Sequence, residues 1–383
     1  MSPSNAALLA SLLDFAQIWK RNWNHGGHTC VVGVGTPPFG ESYGYWERST
    51  VNGQGYEPHL FDRPTCGMRL YQLTNDLQWR SQFVDDFAWY ASKIGADGVF
   101  TPKGANDTKY GYITPFVLAQ AAGVLTNEQR AAADRINGGW LADWPNVANL
   151  AGGALWTERE MAFSLEATLG YYELTANASS LIRAQALLDQ WDTVCAGRGA
   201  PLVSYTKHEG GGPGGTQPTD LCTSPWMAAL YFQAARRLAE DVPGMAPQIN
   251  AQASAYFDWL DANGGFYDGA AAHPEWTGVI FPAYLAGLWL NGPIGDAGPD
   301  EAHMGHALDV AGMVAFAIKS KKALGLQTNR ADFRLAQMKS TAARSFLHYT
   351  REANWLPKYR VNPARMGNWL IRGMYELVAN SDA

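Results

Sequence analysis

The feature that most constrains this chain is an alternation of two kinds of helical segment, separated by loops rich in glycine, proline and aromatic residues. Apolar positions recurring at three- and four-residue spacing predict helices at 5–22, 62–74, 77–94, 109–123, 127–142, 157–175, 179–197, 224–240, 245–262, 276–290, 302–324, 329–350 and 363–380. Strand-like alternation is scarce. One kind of helix is apolar on most faces: Tyr112 to Ala122, Met161 to Leu174, Trp226 to Ala235, Val279 to Leu290 and Ala307 to Ile318 carry few charges, as helices buried all round do. The other kind is amphipathic, as in Glu128 to Asp143, Leu181 to Trp191 and Arg330 to Arg351.

An apolar helix followed by an amphipathic one is what an inner and an outer ring require. The expected fold is therefore all-α, an (α/α) toroid of six or seven helical hairpins formed by residues 1–383 as a single domain. An α-solenoid shares the alternation, but solenoids repeat units of fixed length and similar sequence, and no such repeat is present. Length agrees: 383 residues exceed what one ordinary core supports, which favours either two domains or one large closed architecture.

Composition narrows the function classes. Hydrophobic residues make up 47% of the chain and charged ones 17%, and no apolar run approaches the roughly 18–20 residues that span a bilayer; no membrane partner is expected. Met1 to Lys20 lacks a basic stretch ahead of its apolar residues, and Asp14 and Gln17 interrupt it with helical spacing. No export signal is read there, as for a cytosolic or phage protein or a mature secreted form. Cys30, Cys66, Cys195 and Cys222 lie far apart without a CxxC pair and are expected to be buried thiols. The formal net charge of −6 argues against non-specific nucleic-acid binding.

Two segments carry a family resemblance. RLYQLTND, ending at Asp76, and LGYYELTAN, ending at Asn177, resemble the "LY.LTGD" ends of inner helices in six-hairpin glycosidases and toroidal polysaccharide lyases. The resemblance extends over the organisation of about residues 58–380. It implies a fold superfamily and a carbohydrate substrate, and no catalytic residue follows from it.

If the inner helices all point one way, the loops before them meet at one end. These loops, at 23–58, 97–108, 144–156, 198–223, 264–275 and 352–362, are long enough to be expected to carry function. In them or at the helix starts beside them lie His59, Lys109, Tyr110, Trp156, Trp226, His273 and Arg360. Aromatic faces at this density suit sugar rings. Arg63, Lys109, Arg159, Lys207 and Arg360 add a local positive bias in an acidic chain, which suits an anionic polysaccharide or oligosaccharide.

Elimination from a uronate needs a donor that neutralises the carboxyl group, a base for the proton beside it and an acid for the departing oxygen. The catalytic candidates for such a lyase are His208, Tyr205, Tyr359 and Arg159, with Arg63, His59, Lys109, Tyr110, Trp156, Trp226, His273 and Arg360 as binding residues. Tyr205 and His208 immediately precede a glycine-rich run from Gly210 to Gly215, which has no following Lys-Ser/Thr and is not a phosphate loop. Hydrolysis would instead need two carboxylates, for which Glu158, Glu160 and Asp220 are the candidates. A third reading is a non-catalytic glycan-binding or phage structural module. The pairs His25-x2-His28 and His303-x2-His306 have chelating spacing but no third ligand nearby, so no metal and no cofactor is expected.

Overall fold

The computed structural model describes residues 2–21, 62–101, 111–139, 157–205, 221–287, 301–350 and 363–381. Among them are twelve α-helices: α1 (Asn5–Arg21), α2 (Arg63–Thr74), α3 (Leu77–Ser92), α4 (Thr114–Ala121), α5 (Asn127–Gly138), α6 (Glu158–Thr175), α7 (Ala178–Arg198), α8 (Pro225–Asp241), α9 (Ala246–Ala262), α10 (Ala307–Ala323), α11 (Asn329–Tyr349) and α12 (Pro363–Ala379). Two small antiparallel sheets accompany them, β1 (Ser204–Tyr205) with β2 (Leu221–Cys222), and β3 (Phe266–Asp268) with β4 (Ile280–Pro282). The chain is thus mostly helical. None of the described helices is long and apolar enough to cross a membrane.

The resemblance segments fold into one and the same helical-hairpin turn. In the first, Thr74 Oγ1 donates to the Leu70 carbonyl at 2.7 Å, Asn75 takes a left-handed conformation with φ 56°, and Asp76 caps α3 by accepting from the Gln78 amide at 3.0 Å. In the second, Thr175 Oγ1 donates to Tyr171 at 2.6 Å, Ala176 has φ 57°, and Asn177 caps α7 through the Ser179 amide at 3.0 Å. The threonine satisfies a last-turn carbonyl, the left-handed residue reverses the chain, and the Asx side chain starts the return helix. Capping boxes start two further helices, Thr126 with Gln129 for α5 and Thr157 with Glu160 for α6.

Burial sorts the helices as their charge pattern predicts. Along α6, α8 and α10 most side chains are buried. In α7, by contrast, Ala184, Leu187, Leu188 and Trp191 face inward while Ile182 is exposed, and in α11 Met338, Ala342 and Phe346 are buried while Phe333 and Leu347 are exposed. The even-numbered helices contact one another in series, α2 to α4, α6, α8, α10 and α12, and α12 contacts α2. Each also packs against an odd-numbered partner: α2 on α3, α4 on α5, α6 on α7, α8 on α9, α10 on α11, and α12 on α1. The core lies between the two sets, where Trp191 of α7 stacks on Tyr231 of α8 at 4.1 Å.

Two glycines allow helix backbones to approach closely. A Cβ on Gly67 would stand 2.9 Å from the Phe83 amide nitrogen, where α2 meets α3, and one on Gly373 would stand 2.7 Å from Leu308 and Asp309 backbone atoms, where α12 meets α10.

One expected inner helix is absent. The segment 276–290 begins with the end of a 3-10 turn (Pro274–Trp276), continues into strand β4, and forms an isolated bridge between Ala286 and Thr223; residues 288–290 lie outside the described set. The reason is local: Gly278 sits at φ 77°, Val279 and Ile280 favour extended backbone, and Pro282 would break a helix. The apolar run is buried as expected, but as a strand. Two other starts shift: 302–306 belongs to a 3-10 helix (Glu301–His306) ahead of α10, and α4 begins at Thr114 next to Pro115.

Candidate functional site

At the N-terminal ends of α6, α8 and α10, and within the first two turns of α12, polar and aromatic side chains converge. The 3-10 helix before α10 presents His303 and His306, whose three-residue spacing matches its turn and puts both on one side. His306 stacks on Trp226 at 4.7 Å with the rings 13° apart, and Trp369 lies 4.6 Å from it on α12. His303 stacks on Tyr284 at 5.4 Å, and its Nδ1 is 2.8 Å from the Tyr267 hydroxyl on β3. The Arg159 guanidinium stands 5.8 Å over the Trp226 ring.

These positions follow from the irregular segment that replaced the expected helix. Strand β4 and its bridge to Thr223 carry Tyr284 to the start of α8, where Ser224 Oγ donates to the Tyr284 carbonyl at 2.7 Å. Trp226 is the second residue of α8. Trp226, Trp369, His303 and His306 are buried and Tyr284 is half-buried, so Tyr284 is the more open edge of the cluster.

Behind the imidazoles lies a carboxyl group. Asp309, in the first turn of α10, is buried, with Oδ2 3.5 Å from His306 Nδ1 and no hydrogen-bond partner for Oδ1 among the described residues. Burial pushes its pKa well up, against the opposing charge of Arg372. Arg372 is itself held by Gln233 at 3.2 Å and Glu166 at 3.5 Å. Asp62, the left-handed N-cap of α2, accepts from the Thr65 amide at 3.1 Å; burial and the neighbouring Glu166 charge raise its pKa to about 6.

The structure brings two of the expected site residues, Trp226 and Arg159, into this cluster. It places others elsewhere. Arg63 is buried, 3.2 Å from Asp86 and 4.1 Å over the Trp19 ring, between α1, α2 and α3. His273 is exposed on a 3-10 turn beside Glu275. Glu158 is completely buried: Oε1 accepts from Thr223 Oγ1 at 2.6 Å and from the Ser224 amide at 3.2 Å, Oε2 accepts from Ser204 Oγ, and burial raises its pKa. It ties β1 and β2 to the start of α6. Glu160 is occupied in the capping box with Thr157. Tyr205 pairs with Leu221 through the backbone of β1, its side chain lying outside the described residues, as do His59, Lys109, Tyr110, Trp156, His208, Asp220, Tyr359 and Arg360.

Sequence reasoning missed Tyr267, Tyr284, Trp369 and Asp309 as members of one cluster, and weighed His303 and His306 only as a metal pair. Their spacing was the available sign. Among the described residues no group of three or more His, Cys, Asp or Glu side chains is arranged to hold a metal ion. Cys66 and Cys222 are buried and in no disulfide among the described residues, Cys195 is only half-buried, and burial pushes the Cys66 thiol up. No protein-family model and no curated protein matches this chain.

Chemically the cluster combines indole faces, two imidazoles, phenol hydroxyls and a guanidinium. Indole and phenol faces stack on the C–H faces of sugars. Imidazole and phenol groups transfer protons, and a guanidinium neutralises a carboxylate.

Proposed function

We propose that the chain is an (α/α) toroid of six hairpins that degrades an anionic polysaccharide, acting as a lyase on a uronate-containing substrate by β-elimination. The closed series of contacts among the even-numbered helices, each with its odd-numbered partner, supports the toroid reading. The observation that carries the functional reading is the convergence of His306, His303, Tyr284, Tyr267, Arg159, Trp226 and Trp369 at the N-terminal ends of those helices.

In this reading Arg159 faces the substrate carboxylate and lowers the cost of charge on it as the adjacent C–H proton leaves. An imidazole or phenol takes that proton. The electron pair forms a carbon–carbon double bond, the glycosidic carbon–oxygen bond breaks, and the departing oxygen receives a proton from a second such group. Asp309 orients the His306 ring, and Trp226 and Trp369 bound the sugar site.

Paired-carboxylate hydrolysis is the second reading. Glu158 and Glu160 are spoken for by structural hydrogen bonds, so it rests on Asp309, whose raised pKa suits a general acid, paired with Asp220, which lies outside the described residues. Mutation separates the two. Under elimination His306→Ala lowers kcat by about 10²- to 10⁴-fold, while Asp309→Asn retains part of the activity. Abolition by Asp309→Asn, with near-normal kcat in His306→Ala, would replace the lyase by the hydrolase.

A further inference from the structure

Helix α1 packs against α12, and its tie to that helix falls on the two residues that precede Trp369. Trp19, near the end of α1, is completely buried, and its Nε1–H donates to Asn368 Oδ1 at 2.8 Å. The same ring fills the notch left by Gly367, where a Cβ would stand 2.6 Å from Trp19 Cγ. On α2, the Arg63 guanidinium lies 4.1 Å over the Trp19 ring and is itself 3.2 Å from Asp86 of α3, while Trp79 of α3 stands 6.4 Å from the indole. Cys66 of α2 donates from Sγ to the Asn368 carbonyl at 3.6 Å. Side chains of α2 and α3 thus pack around the indole, and the indole grips α12.

Gly367, Asn368 and Trp369 are consecutive, and successive side chains of an α-helix point about 100° apart. The first two meet Trp19. The third turns toward α10, where it packs 4.6 Å from His306 and 5.7 Å from Trp226. Rotation of α12 about its axis therefore carries the Trp369 ring across His306 as it strains the bond to Asn368. Burial alone asks only for an apolar ring at position 19; the indole N–H and its buried amide acceptor add a directional bond, which specifies orientation more than it adds stability. We propose that Trp19 is a positioning residue for the His306 cluster, setting through Gly367 and Asn368 the placement of Trp369 against the imidazole. The consequence for turnover rests on the lyase reading of the cluster; the placement of the rings does not.

The test is proton–carbon NMR of the full chain with ring-labelled histidine, the His306 signals being assigned from their loss in His306→Ala. Because His306 packs against two indoles, ring currents shift its resonances and these report movement of Trp369. Trp19→Phe keeps an apolar ring and removes the donor, and Asn368→Leu removes the acceptor. Each is expected to move the His306 resonances, and the double variant moves them no further than the larger single change, because all three cut the same link. Leu12→Ala truncates another buried residue of α1; it lowers stability and leaves the His306 resonances in place. On a uronate polysaccharide that the wild type cleaves, kcat falls about 10- to 100-fold in Trp19→Phe at temperatures where it is fully folded, and does not fall in Leu12→Ala.

Unmoved His306 resonances in folded Trp19→Phe overturn the proposal, as does an equal movement in Leu12→Ala. Should Trp19→Phe not fold, Asn368→Leu decides by the same two readings. Moved resonances with undiminished turnover uphold the positioning role and count against the cluster as the catalytic site.

Discussion

Replacing Glu158 with alanine tests whether this carboxylate is part of the scaffold or of the chemistry. In the wild type it accepts from Thr223 Oγ1, Ser204 Oγ and the Ser224 amide in a fully buried position. Alanine leaves three buried donors without an acceptor, each costing about 1–3 kcal/mol. Relief of the carboxylate's own desolvation, which raises its pKa, offsets part of this, so a net loss of about 3 kcal/mol is expected. The Thr223–Tyr256 hydroxyl contact at 3.0 Å and the start of α8 loosen with it. Urea unfolding followed by circular dichroism measures the change as a lower midpoint at constant slope. Glu158→Gln keeps an acceptor oxygen, and the Ser204 hydroxyl can rotate to accept from its amide, so this variant loses less. A Glu158→Ala protein as stable as the wild type but inactive would refute the structural assignment and restore Glu158 as a candidate hydrolase acid.

Further outcomes follow from the same geometry. Asp62 has its pKa raised from 3.8 to about 6, so its stabilising contribution is full below pH 4 and is lost as the pH rises to about 6, a change of about 3 kcal/mol. Asp62→Asn, which retains both the cap and the left-handed preference, is then more stable than the wild type at pH 8 and equal to it below pH 4 in denaturant titrations. Gly373→Ala forces a methyl group against the backbone of Leu308 and Asp309 and is expected to cost about 1–3 kcal/mol; because α10 follows directly from the His306 turn, activity falls at temperatures where the variant is still folded. Arg159→Ala weakens binding of anionic oligosaccharides more than of neutral ones, and raising salt narrows the gap as the charge is screened; equal losses for both classes would remove Arg159 from the carboxylate site.

Much of the helical framework was legible because buried and half-buried helices write different patterns. The charge-free stretch of α10 and the one-sided stripe of α11 needed only periodicity. The hairpin turns at Thr74–Asp76 and Thr175–Asn177 were readable because each residue there performs one local task. The segment Val279–Leu290 was not, since an apolar run has the same look in a buried strand and a buried helix; Gly278 and Pro282 held the answer. That one segment positions Tyr284, so the error there hid the cluster as well. The packing of His306 against Trp226 and Trp369 joins three elements distant in the chain, and no local pattern encodes it. Glu158 misled for the opposite reason: a first-turn glutamate is equally at home as a dipole partner, a buried tether or an acid.

Elimination and hydrolysis leave different products. The purified chain is incubated with a panel of uronate-containing polysaccharides while ultraviolet absorbance and reducing ends are followed together. Elimination places a double bond in conjugation with the carboxyl group, so on the true substrate one absorbing unsaturated end is expected for every new reducing end, with both signals lost in His306→Ala. New reducing ends without absorbance would contradict it.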